Sequence, residues 1–238
     1  MDMVVEYVEG QTFETFAILT GVFTLLLLVG EARDSQVLRY AFKPVASTFF
    51  ILAGLKAEHT VSPSSSLADL VTRESYGAAV VAGLCFSWFG DVFLIPKSDA
   101  IFKLGLVSFL LGHVAYSYAF FARIGVDMDA LPAAAAAPGA VAVGVCFWLL
   151  PHVPSPMLGP VLAYIAVITT MVAAAIAVWM ESEASLYIPL AAVVFFVSDL
   201  CVARQKFVAS SFVNRLFGLP LYYGSQIVFA YSILHPKA

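Results

Sequence analysis

The chain has 238 residues, of which 61% are hydrophobic and only 12% are charged. Because soluble domains average about 25% charged residues, this composition excludes an ordinary soluble protein and predicts a membrane protein. The formal net charge of −4 comes without a basic cluster, which argues against a nucleic-acid partner. The three cysteines lie in apolar segments without Cys-x-x-Cys spacing, so we interpret them as core residues and not as disulfides or metal ligands.

Eight segments of about 20 mostly apolar residues follow one another along the chain, and each is long enough to span a membrane. They lie near residues 12–30, 38–56, 77–95, 101–122, 133–150, 158–180, 185–203 and 216–235. We therefore expect an all-α, polytopic membrane protein, with about eight transmembrane helices forming one domain over residues 1–238. The longest connection, 57–76, is polar and Ser-rich and is expected to be a surface loop, while Pro44 and Pro160 are expected in the first turns of their helices.

The distribution of lysine and arginine predicts the orientation of these segments. Connections after the first, third, fifth and seventh segments, with the adjoining helix ends, hold seven such residues, and the other side holds four. By the positive-inside rule the first group is cytoplasmic and both chain termini lie outside. The first group is Arg33, Arg39, Lys97, Lys103, Arg204, Lys206 and Arg215, and the second is Lys56, Arg73, Arg123 and Lys237.

The two halves of the chain resemble each other weakly. The third and seventh segments both end with a small residue followed by an aspartate, Gly90-Asp91 and Ser198-Asp199. If this similarity reflects a duplication, the bundle is a parallel 4+4 repeat whose two-fold axis runs along the membrane normal. Such a repeat would bring the two aspartates face to face.

Polar side chains inside the apolar segments gather at one depth. An ionised aspartate in hydrocarbon costs at least about 3 kcal/mol, so Asp91 in "FSWFGDVFLIPK" and Asp199 in "FFVSDLCVARQK" each suggest a functional site. At a rise of about 1.5 Å per residue, both lie about one turn inside the predicted cytoplasmic ends. The other members of this layer are Lys43, Tyr164, Tyr222, Tyr223 and Gln226, with His113 and Tyr116 deeper.

Structural roles are the alternative for each of these residues. Lys43 could reach the interface instead of the site, His113 and Gln226 could join helices, and the tyrosines could be packing residues. Adjacent tyrosines point to different helix faces, so at most one of Tyr222 and Tyr223 is expected to face the layer. Only one of the four histidines lies deep in a segment, and no His-x-x-x-His or Gly-x-Ser-x-Gly motif is present, so we predict neither a metal nor a cofactor.

Six stretches, in order, resemble the YhhN family of eight-span membrane lysoplasmalogenases. The clearest are "GDVFLI" (90–95), "GHVAYSYAF" (112–120), "SDLCVARQKF" (198–207) and "YYGSQ" (222–226), with weaker similarity in "YAFKP" (40–44) and "PVLAY" (160–164). The resemblance runs from the second segment to the eighth, and the first 35 residues carry none of it. It implies hydrolysis of the vinyl-ether bond of lysoplasmalogens to a fatty aldehyde and glycerophosphoethanolamine or glycerophosphocholine.

This chemistry suits the polar layer. Protonating the β carbon of a vinyl ether generates an oxocarbenium ion, so the site needs one protonated carboxyl and one anion. Asp91 and Asp199 would form this pair, with His113 relaying a proton or binding water. If Lys43 pairs with one aspartate, that one stays ionised. The assignment is otherwise open, although the cations near Asp199 favour Asp91 as the acid and Asp199 as the base.

The implied partners are a lysophospholipid, water and the surrounding membrane lipid. The depth of the two aspartates supports a lysophospholipid substrate. The ether linkage of a lysolipid lies just below its phosphate, near the boundary of the hydrocarbon, and the aspartates are predicted at that level. Expected substrate-binding residues are Lys43, Tyr116, Tyr164, Tyr222, Tyr223, Gln226, Arg204 and Lys206, with further phosphate partners at Lys97, Lys103 and Arg215. The alternatives are a proton-coupled transporter, a lipid-binding protein without chemistry, or a metal-dependent lipid hydrolase of the ceramidase kind.

Overall fold

A computed structural model describes residues 2–64, 66–72, 74–121, 128–181 and 185–235. Over these residues the chain is helical, without a β-strand. The helices are α1 (Met3–Glu9), α2 (Phe13–Ala32), α3 (Gln36–Val61), α4 (Leu67–Thr72), α5 (Tyr76–Phe93), α6 (Asp99–Tyr118), α7 (Leu131–Leu149), α8 (Ser155–Glu181), α9 (Tyr187–Ala203) and α10 (Phe212–Ser232). A π-helical turn, Arg204–Val208, follows α9. Three charges used to predict the orientation, Arg73, Arg123 and Lys237, fall outside the described residues.

The all-α membrane fold is confirmed, but the count of eight spans is not. Each predicted segment overlaps one long helix, yet within the described residues only α2 and α5 to α9 are long and apolar enough to cross a membrane. The remaining long helices, α3 and α10, fall short because they carry buried polar side chains such as Arg39, Lys43 and Gln226. These two helices supply much of the polar site described below.

Helix starts differ from the sequence prediction where a capping side chain was overlooked. The Ser35 hydroxyl accepts a hydrogen bond from the Leu38 backbone N–H at 3.4 Å, so α3 begins at Gln36 and Pro44 lies in its interior. Similarly, α8 begins at Ser155, five residues before Pro160. Both proline predictions were therefore wrong. The expected loop at 57–76 is partly helical as well, because α3 continues to Val61 and α4 occupies Leu67–Thr72.

The order of helix packing is similar in the two halves of the bundle. In the first half α2 packs on α3, α3 on α5, and α5 on α6; in the second α7 packs on α8, α8 on α9, and α9 on α10. Across the halves, α10 packs on α3 and α6 packs on α8. This is the arrangement expected of a parallel 4+4 repeat, and it makes α10 a central helix that also contacts α2 and α5.

Two glycines allow α5 and α6 to approach closely beside the site. A Cβ atom at Gly83 would lie 2.4 Å from the Tyr116 ring, and one at Gly90 would lie 2.5 Å from the Phe109 ring. Both distances are far below van der Waals contact, so only glycine fits. The resulting close contact places His113, one turn before Tyr116, in the interior of the bundle.

Candidate active site

A cavity of about 440 Å³ opens between the ends of the helices and contains both aspartates in its lining. This volume lies in the range of small-molecule sites. One side of the cavity is apolar and comes from α6 to α9, with Phe102, Leu106, Val145, Leu149, Val161 and Ile165. The lining also carries charged side chains, which we call the mouth, namely Glu31, Arg39, Lys97, Lys206 and Arg215. The cavity is thus amphipathic, and both carboxylates belong to its lining.

Asp91 on α5 is surrounded by a cation and hydroxyl donors. The Lys43 ammonium lies 3.0 Å from Oδ1, and Oδ2 accepts hydrogen bonds from the Ser47 hydroxyl and, at 3.3 Å, from the Tyr223 hydroxyl. Only 2% of the Asp91 surface is exposed. Because these groups all favour a negative charge, the arrangement is suited to an ionised carboxylate. Lys43 therefore lies in the site and does not extend to the interface.

Asp199 on α9 has a different set of neighbours. Its Oδ2 accepts a hydrogen bond from the Tyr164 hydroxyl at 2.5 Å and lies 3.6 Å from Nε2 of His113. Among the described residues no lysine or arginine pairs with this carboxyl. Its side chain is 17% exposed and faces the cavity, whereas His113 is fully buried behind it. The two aspartates thus share one cavity but differ in their electrostatic surroundings.

The contacts of His113 indicate where a proton is held. Its Nδ1 lies 2.6 Å from the Phe109 carbonyl oxygen, which can only accept, so Nδ1 carries hydrogen. Nε2 has no hydrogen-bond partner among the described residues and faces Asp199. A neutral imidazole and an ionised carboxylate would place two acceptors against each other. A proton on the Asp199 carboxyl removes this conflict, although at 3.6 Å the two groups are not hydrogen-bonded.

Both adjacent tyrosines of α10 reach the site, contrary to the expectation that only one would. Tyr223 contacts Asp91, while Tyr222 lines the cavity and donates to the Ser87 carbonyl oxygen at 3.3 Å. This is possible because α10 is central, so that two of its faces contact the polar layer.

Two other predicted binding residues lie apart from the cavity lining. The Tyr116 hydroxyl donates to Oε1 of Gln226 at 2.6 Å, and both side chains are fully buried. The Tyr116 ring also stacks on Phe229, with ring centroids 4.2 Å apart. This pair connects α6 to α10 below the carboxylates, which is the structural alternative considered for both.

The two predicted substrate-binding cations that follow α9, Lys206 and Arg204, have different surroundings. Lys206 lines the cavity mouth, where its ammonium lies 2.7 Å from Asp99 and 4.5 Å from the centroid of the Phe102 ring. Arg204 does not line the cavity and instead donates to Oδ1 of Asn214 at 2.5 Å. The wider turn of the π-helical segment, which starts at Arg204, changes the direction of these side chains.

Sequence reasoning missed three residues that complete the site. Ser47 follows Lys43 by one helical turn, a spacing that could have indicated a shared partner. Arg39 was interpreted only as a topology charge and Glu31 was not singled out, although both side chains are largely shielded from solvent in the cavity wall. Within the described residues no group of three or more His, Cys, Asp or Glu side chains is arranged to hold a metal ion, and the metal-free site stays a prediction.

Comparison with known proteins gives a family and two named relatives. The sequence model described as the YhhN family matches residues 38–233. Lysoplasmalogenase TMEM86A of Bos taurus is 29% identical over 180 residues, which cover 72% of this chain and 71% of the relative. Lysoplasmalogenase TMEM86A of Homo sapiens is 30% identical over 173 residues, which cover 66% of each. No solved structure matches the chain.

Proposed function

Because the chain belongs to the YhhN family, we propose that it is an intramembrane hydrolase that cleaves the vinyl-ether bond of lysoplasmalogens. The products are a fatty aldehyde and glycerophosphoethanolamine or glycerophosphocholine. The relatives named lysoplasmalogenase support this reaction class. The observation that carries the proposal is that two carboxylates with unlike neighbours line one amphipathic cavity.

Asp199 is the acid and Asp91 is the anion in this mechanism. Lys43 pairs with Asp91, so the earlier preference for Asp91 as the acid is reversed. Asp199 transfers its proton to the β carbon of the vinyl ether, and the positive charge that develops on the ether carbon is stabilised by the Asp91 carboxylate. Water then adds to that carbon and returns a proton to Asp199. The hemiacetal collapses to the aldehyde, and the glycerol hydroxyl leaves with the second proton.

His113 and Tyr164 position the acid. The lone pair of His113 Nε2 faces Oδ2 of Asp199 at 3.6 Å, which disfavours a negative charge there and so favours the carboxyl in its donor form before each turnover. The Tyr164 hydroxyl holds the same Oδ2 atom and fixes the orientation of the carboxyl. His113 does not line the cavity, so it acts through Asp199 and is a positioning residue.

The shape of the cavity supports a single-chain lipid as substrate. The alkenyl chain would occupy the apolar side between α6 and α9, while the phosphate would remain at the charged mouth. Both α7 and α8 contribute to this path, because their side chains line the cavity. We propose that the mouth is cytoplasmic and that both termini lie outside, following the lysine and arginine distribution.

The test uses the purified protein in mild detergent and measures aldehyde release from lysoplasmenylethanolamine. The saturated alkyl-ether analogue serves as the control substrate, because it cannot form the oxocarbenium ion by protonation. Aldehyde from the vinyl ether alone, abolished in both D91N and D199N, is expected. Release by either variant at the wild-type rate would refute the two-carboxylate mechanism, and absence of release from folded wild-type protein would refute the substrate.

A proton-coupled transporter is the second candidate, because buried polar pairs continue beyond the site. Tyr76 and Ser232 are joined at 2.7 Å, and Ser75 donates to the buried Glu58 carboxylate at 2.7 Å. None of these four residues lines the cavity. Proton flux into liposomes containing the wild-type protein, lost in D91N, would favour transport, whereas the enzyme predicts aldehyde release without flux.

A further inference from the structure

Three buried or half-buried charges form a network in the wall of the cavity mouth. Oε2 of Glu31 lies 3.0 Å from Nε of Arg39 and 3.0 Å from Nε of Arg215. The Glu31 side chain is only 9% exposed, and it comes from the last turn of α2. One carboxylate therefore holds two guanidinium groups, from α3 and α10, beside the cavity.

The two arginines differ in what their remaining nitrogens can do. In Arg39, one terminal nitrogen donates to Oε1 of Gln36 at 3.1 Å and the other to Oδ1 of Asp34 at 2.6 Å. Nε is ion-paired with Glu31 without forming a hydrogen bond, so both terminal nitrogens of Arg39 have an acceptor and its charge has a partner. The charged Arg39 hydrogen bond and the nearby Lys97 lower the pKa of the exposed Asp34, so this anchor stays ionised at neutral pH. Arg39 is thus a fixed structural member of the network.

Arg215 has a free side. Only its Nε is paired, and within the described residues no protein group accepts a hydrogen bond from its two terminal nitrogens. Its side chain is 31% exposed and lines the cavity. A guanidinium that is ion-paired at Nε leaves its two terminal nitrogens as a planar fork, which matches two oxygens of a phosphate.

We propose that Arg215 binds the phosphodiester of the lysophospholipid, with Glu31 and Arg39 positioning it; this inference rests on the proposed function and assigns its headgroup site. The other cations at the mouth are less suitable. Lys206 is paired with Asp99, Lys97 is largely exposed, and Arg204 lies outside the lining.

The charge of the mouth fits the phosphodiester group of the ligand. Four cations, Arg39, Lys97, Lys206 and Arg215, face three acids, Glu31, Asp34 and Asp99, which leaves one net positive charge. A phosphodiester carries one negative charge and neutralises it. The fork of Arg215 therefore recognises the group common to ethanolamine and choline headgroups, and not the amine that distinguishes them.

Binding is the first readout, because it does not depend on turnover. The probes are an alkyl-ether lysophosphatidylethanolamine and the matching alkylglycerol, which lacks the phosphate. R215Q is expected to weaken binding of the phospholipid about 10- to 100-fold, the effect of losing hydrogen bonds to a charged group, and to leave alkylglycerol binding unchanged. R215K keeps the charge but loses the fork, and an intermediate effect is expected. R33Q, which removes an exposed arginine that does not line the cavity, is the matched control and should bind like wild type.

Equal weakening of both probes in R215Q would overturn the proposal, because it would indicate a general structural effect. Competition separates the two sources of phosphate. Glycerophosphocholine should displace the probe from wild type but not from R215Q, whereas displacement by inorganic phosphate alone would reduce the site to a free-anion site and overturn the headgroup assignment. Aldehyde release is measured separately. If binding depends on the phosphate but no aldehyde is released, the Arg215 site is supported and the reaction is refuted. If aldehyde is released but binding does not depend on the phosphate, the reaction is supported and the Arg215 site is refuted.

Discussion

Replacing Lys43 by methionine tests the assignment of Asp91 as the permanent anion. The substitution keeps much of the side-chain volume but removes the ammonium that lies 3.0 Å from Oδ1. At that distance and an effective dielectric constant of about 20, the attraction is about 5–6 kcal/mol before desolvation is subtracted. Breaking a buried pair by removing one partner typically costs about 3–5 kcal/mol, so we expect K43M to lose stability in that range.

The measurement is the thermal midpoint in detergent for wild type, K43M, D91N and the double variant. One kcal/mol shifts the midpoint of a chain this size by about 2–4 °C, so K43M should lose roughly 10 °C. The double variant removes both charges and should be more stable than K43M. K103M, which removes an exposed lysine, is the control and should be nearly neutral. Additive losses in the double variant would refute the pairing, because independent sites add.

Three further variants or treatments test the packing, the acid and the metal-free chemistry. G83A should destabilise the protein by about 1–3 kcal/mol, because the new methyl group meets the Tyr116 ring. Its control is G144A on α7, where the space around the glycine is open; in the same melting experiment this variant should be neutral or slightly stabilising. H113F keeps an aromatic ring but removes the group that faces Asp199, so kcat should fall by about 10²-fold or more while KM changes little; a rise in KM alone would contradict a positioning role. Chelators should leave aldehyde release unchanged, and inhibition reversed by added metal would refute carboxylate chemistry.

The charged residues of the site could be predicted from sequence, because placing a charge in hydrocarbon costs free energy and few structural roles justify it. Asp91, Asp199 and Lys43 were found in this way, and Tyr164 was found by its depth. The pairing could not be predicted, since it depends on how α3, α5 and α9 rotate in the bundle. Once Lys43 lies beside Asp91, the roles of the two aspartates follow from their neighbours.

Residues near helix ends were harder to interpret. Glu31 and Arg39 occur where charges usually face water, so composition gave no reason to place them in a cavity wall. Arg204 was expected to contact phosphate because it lies in the basic connection after the seventh segment, but a π-helical turn begins there and Arg204 donates to Asn214. These outcomes depend on local backbone geometry that a hydropathy pattern does not contain.

The polarity of α3 and α10 has a consequence for biogenesis. Neither helix is apolar enough to qualify as a span, so neither is expected to partition stably into lipid alone. During synthesis α3 can gain its first partner when α5 delivers Asp91 to Lys43, but Tyr223 follows Asp91 by 132 residues. At about 5–20 residues per second, this interval lasts roughly 7–26 s. The nascent chain therefore holds the Lys43–Asp91 pair in the bilayer without the Tyr223 hydroxyl until its last helix arrives, and chains truncated before α10 should be preferred substrates for membrane quality control.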